Sequence, residues 1–340
     1  MAPEPHQNPR PSSEPEIHSG RKSLTVCLYR HETGLAVILL VEWLLFNITG
    51  QGFGTFDNTF DLLRHSCEIG LLALAMTPVI LTGGIDLSVG SLLGLCAIIL
   101  GKLWRDGHLP IAAAAALTIL AAICGGGLNA VLITRLRLPP LIVTLATFSL
   151  FRGLAEALTQ GVDTFTGFPE TFLRLGQDTW CNLPAQIPIF MVMAATVWIL
   201  VHRTTFGRSW RAIGFSPEGA RFAGLPVNRR IAVTYLISGA AAGLAAVIYT
   251  SRLGQAKADA GTGYELMAIT AVVLGGTSIF GGRGSVHGTL LGVGAIAILS
   301  NGLVHARQPR EVAGMLTGVL LLTALALPIL MRPRSRRSRD

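Results

Sequence analysis

Carboxylates, imidazoles and thiols, the side chains that carry most protein chemistry, are thinly spread along this 340-residue sequence. Asp86, Glu265 and His287 stand out because each lies in or beside a long apolar stretch. They are far apart and form no H-E-x-x-H, G-x-S-x-G or paired-carboxylate pattern on one helix. The run Gly275–Ser285, GGTSIFGGRGS, has the glycine content of a phosphate cradle. It lacks the G-K-[ST] ending, follows an apolar helix rather than a βα turn, and no Walker A motif occurs elsewhere. The chain is therefore expected to be neither an enzyme nor an ATPase by itself. Cys27, Cys67, Cys96, Cys124 and Cys181 show no C-x-x-C spacing and read as small core residues, so no metal site or disulfide framework is expected.

What remains are polar groups of the kind that hydrogen-bond a small solute. In LTGGIDLSVGS (81–91) a carboxylate sits between apolar segments, where it must be capped, paired or turned to water. Two compatible readings follow for Asp86. It is the N-cap of a helix starting near Leu87, with Gly83-Gly84 as the turn, or it marks a broken helix beside a path, with Ser88 alongside. Asn129, Thr144 and Thr147 offer hydrogen bonds either to a polar solute or to neighbouring helices. Glu265 is a further candidate for the path.

The elements that must position these groups are helices in a bilayer. The sequence is 51% hydrophobic and 14% charged, against roughly 25% charged in soluble domains. Mean hydropathy is +0.55. Apolar windows of about 20 residues, the length a bilayer requires, place ten spans near 34–48, 62–82, 87–104, 110–134, 140–159, 184–202, 230–250, 265–280, 286–305 and 312–331. The expected class is an all-α polytopic membrane protein. Residues 1–33 are Pro-, Ser- and Glu-rich and read as a disordered cytoplasmic tail; they make a poor signal peptide, lacking an A-x-A-like cleavage site. Residues 332–340 form a basic cytoplasmic tail.

With the N-terminus inside, eighteen Lys and Arg fall on the inner side and eight on the outer, which supports ten helices with both termini cytoplasmic. The net charge of +8 is thus read as topology. No stacking aromatics interleave with it, so nucleic acid is not an expected partner. Of the two long loops, 161–182 faces outward and 203–229 is basic and cytoplasmic. After Pro217 the second has room for a short helix to about Ala223, closed by Gly224 and Pro226, with Arg221 and Phe222 exposed. Such a helix suits docking into a groove on another protein, or is a solvated basic loop.

From Ala260 to Asn301 the sequence is apolar yet dense in glycine. Glycine lets membrane helices approach closely, which is the expected use of Gly288, Gly292, Gly239 and Gly243. Gly281 and Gly282 lie in a tight turn, and Gly275 and Gly276 precede it. A weak echo links Gly90-Ser-Leu-Leu-Gly to Gly288-Thr-Leu-Leu-Gly, pointing the same way along the chain.

Four ordered motifs carry a family resemblance: LTGGIDLSVGS, PPLIVTLATFSLFRGLA (139–155), TTFGRSWRAIG (204–214) and YELMAITAVVLGGTSIFGGRGSVHGTLLG (264–292). Together, over about residues 35–330, the chain resembles the permease subunit of bacterial ABC sugar importers of the ribose, rhamnose and autoinducer-2 type. The branched-chain amino-acid permeases are similar more distantly. The resemblance implies a type II importer-like bundle in the inner membrane, paired with a second permease subunit, identical or homologous. It implies two cytoplasmic ATPase domains that bind ATP and Mg, and a periplasmic or lipid-anchored solute-binding protein; the chain itself needs no cofactor. It also implies that Gly207, Arg208, Arg211, Gly214, Glu218, Arg221, Phe222 and Gly224 belong to the segment coupled to the ATPase. Ser216-Pro217 and Gly219 depart from the usual Asn and Ala-rich pair there. The competing reading is a stand-alone secondary transporter or channel, whose ion coupling would have to use Asp86, Glu156 or Glu265.

Overall fold

The computed structural model describes residues 20–180 and 183–330. The chain is a helical bundle. Its long helices are α1 (Gly20–Thr49), α2 (Phe56–Leu81), α3 (Val89–Arg105), α4 (Ile111–Thr134) and α5 (Pro140–Leu158). A segment containing β1 (Phe165–Thr166), α6 (Glu170–Gln177), β2 (Thr179–Trp180) and β3 (Leu183–Pro184) leads to α7 (Ile187–His202). Then come α8 (Thr205–Phe215), α9 (Pro217–Phe222), α10 (Val227–Leu253), β4 (Gln255–Ala256), α11 (Tyr264–Leu274), α12 (Val286–His305) and α13 (Arg310–Leu330).

Each predicted span contains a helix, but ten crossings do not follow. Six helices among the described residues are long and apolar enough to cross a bilayer, or seven if α7 and α8, bent by 64°, count as one. The clearest departure is α11. Its 11 residues rise about 16 Å, half of a ~30 Å hydrocarbon layer. The expected span 265–280 stops early because Gly275 and Gly276 end the helix, the latter at φ +85°. The first span also differs: α1 starts at Gly20 and takes in part of the expected tail, while residues 1–19 and 331–340 lie outside the described residues.

Among the six candidate spans α2 and α10 are the most enclosed, whereas α4 and α5 turn most of their surface outward. Small residues set the closest crossings. At Gly126 and Gly239 an added Cβ would run into the facing helix backbone, so α4 and α10 touch main chain to main chain. A Cβ at Gly288 would collide with the Gly275 carbonyl, and one at Gly292 with Ala271, which brings α12 onto the end of α11. The two echo segments open α3 and α12. The turns before these helices meet, because the Gly282 N–H donates to the Leu81 carbonyl at 2.9 Å. Gly83 and Gly281, at φ +81° and +86°, supply the left-handed backbone those turns need.

On the opposite end, β1 pairs antiparallel with β4, Phe165 opposite Ala256, and β2 pairs with β3. Ser251 Oγ donates to the Phe172 carbonyl at 2.5 Å, fastening α6 to α10. Cys67 and Cys96 are buried free thiols and Cys124 is exposed; Cys181 lies outside the described residues, as does the side chain of Cys27.

Candidate functional site

The break between α2 and α3 brings five of the six predicted path residues together. Helix α3 starts at Val89 with Ser88 in the cap position, which makes no side-chain cap bond. Asp86 therefore is not the N-cap of a helix from Leu87. It sits two residues before the cap position, where its Oδ1 accepts from the Ser88 N–H at 3.0 Å and the Ser88 Oγ at 2.6 Å. Its Oδ2 accepts from Ser238 Oγ of α10 at 2.7 Å. Asn129 Nδ2 of α4 donates to Ser88 Oγ at 2.8 Å, and Thr147 Oγ1 of α5 donates to Asn129 Oδ1 at 2.8 Å. Thr144 Oγ1 donates to the Ile85 carbonyl at 3.2 Å.

These protons run in one direction, from Thr147 through Asn129 and Ser88 to the carboxylate. Such a chain polarises each successive bond and suits an ionised acceptor at its end. Asp86, Ser88, Asn129, Thr144 and Thr147 are all buried. In this conformation Asp86, Ser88, Asn129 and Thr147 are one another's partners while Thr144 bonds the Ile85 carbonyl, and the network ties α3, α4, α5 and α10 to the 82–88 turn. Beside it, an added Cβ at Gly84 would approach Tyr235 Oη to 2.6 Å, and that hydroxyl is buried without a partner.

Glu265 lies elsewhere, at the start of α11. Its Oε1 accepts from the Gly263 N–H at 3.2 Å. A Cβ at Gly90 would collide with its Oε2, so α3 passes directly over the carboxylate. Two further charged groups emerge. Arg252 is in the last turn of α10 and clamps Glu68 of α2 from Nε at 2.7 Å and Nη2 at 3.1 Å. Arg152 of α5 donates from Nη1 to the carbonyls of Ala258 and Ala260. No sequence signal pairs Glu68 with Arg252 across 184 residues.

The 203–229 segment is two short helices rather than a loop. Ser216 links them: its hydroxyl accepts from the Gly219 N–H at 3.0 Å to start α9. Within α8, Trp210 and Ile213 are buried. Gly207 abuts the Val201 backbone, and Gly214 abuts Leu81 and Gly282, so α8 rests on both interhelical turns described above. Arg211 Nη1 donates to the Val201 carbonyl at 3.1 Å. Arg208, Glu218 and Arg221 are exposed, and Phe222 is 92% exposed. Gly224 closes α9 at φ +78°. Beside it lies a shallow depression of ≈ 300 Å³ lined by Arg221, Pro226, Val227, Asn228 and Arg229. His202, at the end of α7, accepts from the Val286 N–H at 3.2 Å, and His287 accepts from Trp198 Nε1 at 2.9 Å. His287 thus fastens helix ends together, away from Asp86 and Glu265.

A bundle of apolar helices with a glycine-broken centre and a basic helical appendage marks a polytopic helical membrane protein. The chain belongs to the family described as branched-chain amino acid transport system / permease component, whose model matches residues 58–325. Among curated proteins it is similar to the autoinducer 2 import system permease protein LsrD of Photorhabdus luminescens, 39% identical over 305 residues, covering 87% of this chain and 90% of the relative. The same-named protein of Yersinia pseudotuberculosis serotype O:3 is 38% identical over 299 residues, covering 86% of this chain and 90% of the relative. No solved structure matches the chain.

Proposed function

We propose that the chain is the membrane-spanning subunit of an ATP-driven importer for a monosaccharide or related small polar solute; the relatives it resembles are named for import of autoinducer 2. In this reading it sits in a bacterial inner membrane with both termini cytoplasmic. It pairs with a second permease subunit, receives solute from a periplasmic or lipid-anchored binding protein, and is driven by two ATPase domains that bind ATP and Mg.

The observation that carries the reading is the seat of α8 on the turns at Leu81 and Gly282, with α9 presenting Phe222 and Arg221 outward. An exposed phenylalanine beside a basic depression on a helical appendage suits a groove on a partner. Movement of α8 would press on the turns that open α3 and α12. Through the 82–88 turn it would reach Asp86, Ser88, Asn129, Thr144 and Thr147, the hub around which the bundle would rearrange, with Glu265 bordering the solute's route. Alternating access by a weakly binding path is the expected mechanism, since affinity can reside in the binding protein.

Replacing Arg221 and Phe222 together with Asp tests this. Uptake by cells carrying the complete transporter should fall at least tenfold while the permease remains folded in the membrane. Unchanged uptake would remove the docking claim. Uptake by vesicles containing this chain without ATPase partners would sink the importer reading altogether.

A further inference from the structure

The buried charges of the bundle fall into two kinds. Asp86 accepts three hydrogen bonds, and Glu68 is held by both prongs of Arg252. Arg152 and Glu265 are different. Glu265 is 7% exposed, and its Oε2 is buried with no hydrogen-bond partner. Arg152 spends Nη1 on two carbonyls, and its Nη2 is likewise buried and unpartnered. The carboxylate lies within electrostatic reach of the guanidinium, yet the two make no ion pair.

Both groups converge on one bare face of α3. A Cβ at Gly90 would strike Glu265 Oε2, and one at Gly94 would lie 2.8 Å from Arg152 Nη1. The two glycines are one helical turn, about 6 Å, apart, and the Ala258, Ala260 and Gly261 carbonyls pack against the same face, so both groups meet at a closed contact between α3 and that segment. Charged groups inside a membrane bundle are tolerated when they pair or line a route for something polar. Near Arg152 one strip of α5 exposes Ser149 and Glu156, beside the exposed Leu150, Leu154 and Leu158.

We propose that Arg152 and Glu265 form the contact point for a neutral polyhydroxylated solute passing along α3. Arg152 Nη2 donates to one hydroxyl oxygen, and Glu265 Oε2 accepts from another hydroxyl. This rests on the importer reading and names the chemistry of its path. An anionic solute would face the carboxylates of Glu265, Glu156 and Asp259, which surround the single guanidinium. A zwitterion would pair with both charges in a low-dielectric site and be held too firmly for release. Hydroxyls bond weakly to each group and leave readily. Access to Oε2 requires the segment from Ala258 to the start of α11 to draw away from Gly90 and Gly94.

The test uses the complete reconstituted transporter and radiolabelled D-ribose, L-rhamnose, ribose 5-phosphate and L-leucine. Wild type should import a neutral sugar in preference to the other two. Glu265→Gln should lower the maximal rate of that import at least tenfold at an unchanged melting temperature, and Arg152→Lys, which keeps a donor for the Ala258 and Ala260 carbonyls, should retain more of the rate than Arg152→Gln. If both Gln variants import at the wild-type rate, the contact point is wrong while the importer reading stands. Preference for the phosphate or for leucine overturns the neutral-polyol class. Loss of melting temperature in step with uptake would assign the pair a purely structural part and overturn the proposal. Absence of ATP-dependent uptake by wild type would remove the importer reading and the contact point with it.

Discussion

Around Asp86, hydroxyl and amide protons from α3, α4, α5 and α10 are directed along a chain that ends on one carboxylate. Around Glu265, by contrast, a carboxylate oxygen and a guanidinium nitrogen end on nothing. Both sites are buried, both border α3, and both sit at a helix interrupted by glycine. The difference lies in what the neighbouring helices present. Opposite Asp86 are Ser238, Asn129 and Thr147, short polar side chains of matching donor geometry. Opposite Glu265 is Gly90, which presents only backbone. A satisfied network rigidifies and specifies one packing, whereas unspent hydrogen-bonding capacity is available to a passing molecule.

That contrast breaks most decisively at Asp86. Changing Asp86→Ala strands Ser88 Oγ, the Ser88 N–H and Ser238 Oγ, all of them buried. Leaving a buried donor unpaired costs roughly 1–3 kcal/mol each. The expected loss is about 3 kcal/mol or more, seen as a large drop in melting temperature of the detergent-solubilised permease and in its amount in the membrane. A variant that folds normally and loses only transport would make Asp86 a solute contact and erase the distinction between the two sites.

The helices were legible in the sequence because apolar windows of bilayer length and the Gly and Pro residues that bound them are local signals. The convergence at Asp86 was legible only in its members. Asp86, Asn129 and Thr147 each looked costly or useful among apolar neighbours, but partners separated by 41 and 152 residues are set by helix crossings. Those crossings depend on where Gly126 and Gly239 let α4 and α10 touch. The Arg252 pairing was hidden for a related reason: the residue follows the last strongly apolar stretch of α10, yet the helix runs on to Leu253 and carries the guanidinium back to Glu68. Helix α8 was hidden by its glycines, which break helices elsewhere. Here Gly207 and Gly214 serve close contact with the Val201 and Leu81 backbones.

At Gly90 the comparison can be sharpened without touching either charge. In Gly90→Ala the new methyl must occupy the place of Glu265 Oε2 and approach the Gly261 carbonyl to 2.5 Å. Overpacking of this kind costs about 1–3 kcal/mol, and the carboxylate must turn away from Arg152. Transport should fall more than stability does. Gly127→Ala on α4 is the matched control, since its methyl would meet only Leu236 Cδ2 at 3.6 Å and should change stability by no more than ~0.5 kcal/mol. Equal transport by the two variants would mean that the position of the Glu265 carboxylate is immaterial.

The smallest expected effect separates the hub from its periphery. Thr144 is buried but stands outside the donor chain that ends on Asp86. Its hydroxyl reaches the Ile85 carbonyl at 3.2 Å and, less well, the Leu141 carbonyl of its own helix at 3.4 Å. Thr144→Val keeps the branched shape and removes one neutral hydrogen bond, so the expected loss is about 1 kcal/mol, read as a small fall in melting temperature. Because the bond holds the 82–88 turn to α5, the variant should also loosen that turn, raising amide exchange at Ile85 and Asp86 above that at Leu95, in the interior of α3. If exchange rises equally at all three, the turn and helix α3 move as one body. The Asp86 network would then be a rigid part of α3, and the hinge would have to lie nearer Gly83.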